Sequence, residues 1–178
     1  KAAYADLMAA AHADAVHGAE ICRDLQDRLV MIARVSDAGA FVNTNALTLK
    51  RSHGDYSVMQ LLYDGSEIKA VLDFVNAGEV PIAWELIRSY SYMDCTFNAA
   101  RLAAYTNEYR RYAEVSMDDL RYMPYLYLGQ LLSSTYGYKQ YLQTGDEELL
   151  AFGRWRTEMC RYLIANAGEV SAELVRLA

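Results

Sequence analysis

Three residues in the stretch 50–78 have the types and spacing to do chemistry: an acid, Asp55, an amide five residues on, Gln60, and a second acid, Asp73, closing an apolar run. That grouping looks like machinery for phosphoryl transfer. Such a reaction depends on aligning a hydroxyl and neutralising phosphate charge with magnesium more than on covalent help from the protein. His53 and Gly54 directly precede the first acid. Taken alone, His-Gly-Asp is an ordinary turn, since Gly and Asp form turns readily; the weight falls on the combination.

The elements that must position these residues change period here. Leu61-Leu-Tyr63 and Ile68-Lys-Ala-Val-Leu72 are short runs suited to strands, and Asp64-Gly65 between them is a strong hairpin-turn signal. The stretch therefore reads as a loop and hairpin over 50–75. Asp55 and Gln60 stand before the hairpin and Asp73 after it, so both acids are expected on the same side.

Helical spacing dominates elsewhere. Tyr4, Leu7, Met8, Ala11 and Ala15 predict a helix over 3–16, and Ile21, Leu25, Leu29 and Ile32 predict another over 19–34, stopped by Ser36-Asp-Ala-Gly39. From Pro81, well suited to a first helical turn, helices are expected over 81–93, 96–113, 117–133, 146–166 and 169–177. Ser116 and Asp119 have the spacing of a capping pair, Gly145-Asp146 marks a helix start, and Gly168 suits a stop. The fold class is mostly α with a small β-hairpin. No linker or repeat divides the 178 residues, so a single domain is expected.

Seventeen basic and twenty-three acidic side chains give a net charge of -6, which argues against nucleic acid as a partner and favours cationic small molecules. No apolar run is long enough for a bilayer, and Asp6, His12 and Asp14 interrupt the segment where a signal peptide would need an apolar core. Cys22, Cys95 and Cys160 lack metal-binding or disulfide spacing, so a reducing cytoplasmic location is expected. The fifteen tyrosines fit half-buried helix positions better than a cation pocket.

His53-Gly-Asp55, then Gln60, then Leu72-Asp-Phe74 together resemble the aminoglycoside phosphotransferase and choline kinase superfamily. Its signature is His-Gly-Asp, four residues, Asn, and a later Ile-Asp-Phe or Ile-Asp-Trp, on a protein-kinase-like fold. The spacing parallels the protein-kinase catalytic Asp, metal-binding Asn and Asp-Phe-Gly. Pro81-Ile-Ala-Trp-Glu-Leu86 is similar to the segment that follows, with Glu85 at its acid position.

The resemblance covers the chain as the C-terminal lobe of such a kinase. It implies that Asp55 accepts or orients the proton of an acceptor hydroxyl, and that Asp73 holds magnesium against the phosphates of ATP. Gln60 stands at the metal-binding Asn position, one methylene longer. His53 orders the loop and Glu85 braces it. The implied partners are a nucleotide and a small-molecule acceptor, a cationic amine such as an aminoglycoside, choline or homoserine-like compound. No Gly-rich loop or strand lysine is present and the chain starts at Lys1. The expectation is thus that the N-terminal nucleotide-binding lobe is absent, leaving this chain inactive by itself. The alternative, favoured by Gln60, is a non-catalytic kinase-like protein that binds a ligand or partner.

Overall fold

The computed structural model describes residues 2–37, 42–93 and 98–178. They fall into two compact units, one drawn from residues 1–41 and 128–166, the other from 42–127 and 167–178. The described chain is mostly helical with two small antiparallel sheets.

In the first unit, α1 (Ala2–Ala11) and α2 (Gly18–Asp37) pack together, and α1 also touches a helix over Tyr136–Thr144. Tyr4, Leu7 and Ala11 of α1 share a core with Ile21 and Leu25 of α2, Tyr138, Tyr141 and Leu150. These are the three- and four-residue steps of an amphipathic face. Arg28 is fully buried on α2 and donates to the carbonyls of Leu131 (2.7 Å) and Ser134 (3.1 Å). A cation is favourable at carbonyls that end a helix. Tyr138 donates to the Asp24 carboxylate, whose other oxygen accepts from Arg161 at 2.8 Å.

The second unit carries the hairpin. Strand β1 (Leu49–Ser52) pairs antiparallel with β4 (Gly78–Pro81), and between them β2 (Leu61–Asp64) pairs with β3 (Glu67–Val71). α3 (Ile82–Met93) lies on β1, β4 and α4 (Ala99–Arg110), burying Ile82, Ala83, Leu86, Ile87 and Tyr90. α5 (Met117–Ser133) opens on the expected capping pair: Asp119 N–H donates to Ser116 Oγ at 3.0 Å and Ser116 N–H to Asp119 Oδ2 at 2.8 Å. The other oxygen of Asp119 accepts from Thr48 N–H at 2.9 Å, anchoring the residue before β1.

Several boundaries differ from those the sequence implies. α1 ends at Ala11 rather than 16, because the Asp14 carboxylate accepts the Val16 and His17 amides and turns the chain. Pro81 closes β4 opposite Leu49 and the helix begins one residue later. Proline tolerates a strand end, where its missing N–H is not needed. The hairpin turn is Gly65-Ser66, with Asp64 still paired to Glu67. A helix α6 (Tyr136–Thr144) was not expected, and Gly145 (φ 72°) ends it before Asp146 caps the next.

That last helix, α7 (Glu147–Leu177), runs unbroken through Gly168 and contributes to both units. Buried Leu163, Ala167, Val170 and Leu174 continue one periodic face. A helical glycine costs about 1 kcal/mol, less than the about 1.5–3 kcal/mol gained from each buried Val or Leu. The expected stop at Ala38-Gly39 and the start of the 96–113 helix lie outside the described residues, as does Cys95.

Candidate active site

The two segments that carry the acids are knitted together by backbone. Register in the outer pair sets Ser52 opposite Gly78, and register in the hairpin sets Leu61 opposite Val71. One step beyond that last pair, Leu72 N–H donates to Gln60 C=O at 2.8 Å. Segments 53–60 and 72–78 therefore leave their strands at the same ends, as the hairpin reading anticipated.

Gly54 makes the approach close. It sits at φ 78°, and a Cβ on it would lie 2.0 Å from the carbonyl oxygen of Asn76. Only glycine accommodates both the left-handed backbone and that contact.

His53 is buried, and its Nε2 lies 2.6 Å from the carbonyl oxygen of Leu72. A carbonyl only accepts, so Nε2 carries a proton. Its ring stands 4.6 Å from that of Phe74. The side chain thus ties the loop before Asp55 to the residue before Asp73, an ordering role.

Asp55 is partly buried, and its Oδ1 is paired with Nη2 of Arg88 on α3. Nη1 of the same guanidinium reaches the carbonyl of Tyr56 at 3.4 Å, and its carbon lies 5.6 Å from the Trp84 ring centroid. Arg88 follows Glu85 by three residues, so both project from one face of α3 toward the loop. Glu85 is buried, and its Oε1 accepts from Tyr56 N–H at 3.2 Å. Burial pushes its carboxyl above the ordinary range, against the opposing pull of the Tyr56 amide, the His53 ring and the Gly54 amide.

Gln60 closes a 3-10 turn whose N-cap is Ser57, and its Oε1 accepts from the Ser57 hydroxyl. The longer side chain is folded back on its own turn, leaving one lone pair of that oxygen. Asp73 is exposed and left-handed at φ 60°, ψ 59°, a region that Asp tolerates better than most residues. Among the described residues no three or more His, Cys, Asp or Glu form a metal-holding group. An amide oxygen and one carboxylate fit magnesium, which takes few protein ligands and completes its shell with water and phosphate oxygens.

Sequence reasoning missed Arg88, Ser57 and Asn76 as partners of these residues. The Glu85-x-x-Arg88 spacing on a helix was a signal for the first. The Ser57-to-Gln60 interval was a signal for the second, while nothing local marked the third.

A model of the phosphotransferase enzyme family matches residues 5–115, a span that contains all five candidate residues. No curated protein and no solved structure matches the chain.

Proposed function

Because the chain belongs to the phosphotransferase enzyme family, we propose that it is the helical, C-terminal lobe of a protein-kinase-like enzyme that transfers a phosphoryl group from ATP to a small-molecule hydroxyl. Its net charge of -6 supports an acceptor that carries an amine. Three cysteines without paired spacing support work in the cytoplasm. A nucleotide-binding lobe outside these 178 residues would supply the Gly-rich loop and lysine.

The observation that carries the reading is the bond from His53 to Leu72 C=O, reinforced by Gly54 against Asn76, because it locks the Asp55 loop to the Asp73 turn. Asp55 accepts the proton of the acceptor hydroxyl as that oxygen bonds to the γ-phosphorus and the bond from this phosphorus to the leaving ADP oxygen breaks, and Arg88 aims its carboxylate. Asp73 and Gln60 would hold magnesium, which would neutralise charge on the phosphates. Glu85 braces the loop through Tyr56 N–H.

Calorimetry on the whole protein tests this reading: MgATP binding should be seen and should be lost in Asp73→Asn. Binding that is indifferent to magnesium and to that substitution contradicts it. The contact of Gln60 with Ser57 favours a second reading, a non-catalytic kinase-like binding protein. ADP formation by the whole protein would reject it.

A further inference from the structure

Ser57 holds Gln60 at two points. The Gln60 N–H donates to Ser57 C=O at 3.1 Å, closing the 3-10 turn, and the side-chain Oε1 accepts from the Ser57 hydroxyl. Ser57 Oγ itself accepts from Met59 N–H at 3.3 Å. A serine hydroxyl has one proton to give, and in this turn that proton goes to Gln60. Ser57 is 2 % exposed, so its side of the contact is made away from bulk water.

On its other side the backbone of Gln60 is tied to the segment that carries Asp73. Gln60 C=O accepts from Leu72 N–H at 2.8 Å, one step beyond the Leu61–Val71 register pair. Asp73 follows directly, in the left-handed conformation. Both groups assigned to magnesium therefore hang from backbone fixed within one residue. What the backbone leaves unfixed is the Gln60 side chain, which has one torsion more than an asparagine at the same position would have.

Magnesium tolerates little departure from octahedral geometry, and a glutamine loses much rotamer freedom when its side chain is fixed. The Ser57 hydroxyl removes that freedom beforehand. An amide oxygen has two lone pairs, so one can serve a cation while the other holds the hydroxyl. Hydrogen-bond partners that stand behind a metal ligand fix its orientation, and their loss typically lowers metal affinity by about 10–100-fold.

We propose that Ser57 is a positioning residue for the metal: its hydroxyl holds Gln60 Oε1 toward the cation site at Asp73 and so compensates for the extra methylene of glutamine. This role rests on the phosphotransferase reading, in which Gln60 and Asp73 hold magnesium; Ser57 itself touches neither metal nor substrate.

The test is the metal-dependent nucleotide affinity of the whole protein, measured without turnover. Calorimetric Kd values for β,γ-methylene-ATP, with EDTA and with Mn²⁺, give a ratio that reports metal held in the site; Mn²⁺ suits the same oxygen ligands as magnesium. Ser57→Ala should reduce that ratio by at least about tenfold, and Ser57→Thr, which keeps the hydroxyl, should preserve it. In a Gln60→Asn background, where the side chain is a methylene shorter, Ser57→Ala should leave the ratio unchanged. The Met59 N–H contact is lost in either background, so an equal loss in both would reduce Ser57 to a cap of the turn and overturn the proposal. So would a loss in Ser57→Thr as large as that in Ser57→Ala. An unchanged or increased ratio in Ser57→Ala also overturns it, an increase meaning that the hydroxyl competes with the cation. If Ser57→Ala does not fold, Ser57→Cys, with only a weak S–H donor, takes its place and must lower the ratio. A wild-type affinity that is the same with and without Mn²⁺ contradicts the magnesium assignment and this role together. A metal-dependent wild type whose ratio the Ser57 variants leave unchanged contradicts this role alone.

Discussion

Arg88 grips Asp55 from α3: one guanidinium nitrogen pairs with the carboxylate while another reaches the carbonyl of the next residue, Tyr56. A single side chain thereby fixes both the acid and the backbone that carries it.

Loss of that grip should misplace Asp55 without disturbing the nucleotide. In the whole protein, Arg88→Met should lower kcat by about 10²-fold, the size expected from a misplacement near 1 Å, with KM for ATP little changed. Arg88→Lys restores charge but not the two-pronged geometry, so it should recover only part of the loss. Steady-state kinetics check this. A rise in KM at constant kcat would mean that Arg88 serves binding instead.

Two left-handed glycines separate conformational strain from collision. Gly65 at φ 60° has nothing within 4 Å of a built Cβ, whereas Gly54 at φ 78° meets Asn76. Gly65→Ala should cost about 1–2 kcal/mol, the left-handed term alone. Gly54→Ala should cost more and should also displace the loop. Equal costs in urea denaturation would show that the Asn76 contact is slack.

Glu85 gives a pH dependence whose sign is fixed by its environment. Burial raises its folded pKa above the ordinary 4.5, so the folded state holds the proton more tightly than the unfolded state. The associated stability is fully present below 4.5 and is lost as pH rises from there through the folded value. The stability of the wild type minus that of Glu85→Gln should therefore fall across that window and level off above it. A difference that rises with pH would contradict the burial effect.

In the first unit, Tyr138→Phe removes the donor that faces the Asp24 carboxylate. Tyr138 is 1 % exposed, and a hydrogen bond to a charged group contributes about 1.5–3 kcal/mol. Denaturation midpoints should drop accordingly. A change under about 0.5 kcal/mol would show that Arg161 alone satisfies Asp24.

The sequence was most legible where signals were local. The Ser116 and Asp119 pair capped α5 as its spacing implied, and the hairpin formed one residue from its marked turn. Strands β1 and β4 escaped notice because Leu49-Lys-Arg-Ser52 and Gly78-Glu-Val-Pro81 carry no clear alternation, and partial burial on both hides their pairing. Gly168 misled because a local stop signal was outweighed by the buried face that runs through it. At the site, residue types and a resemblance picked out His53, Asp55, Gln60, Asp73 and Glu85. The partners that hold them, Arg88 and Asn76 above all, come from segments brought in by tertiary pairing, which spacing alone does not encode.

The most direct measurement is ADP formation from MgATP by the whole protein with a panel of small hydroxylated amines, comparing wild type with Asp55→Asn. Asp55 acting on the acceptor proton predicts a loss of about 10²–10⁴-fold in the variant, with calorimetric ATP affinity unchanged. Turnover that persists at the wild-type rate in Asp55→Asn would contradict the assignment of Asp55 and with it the proposed chemistry.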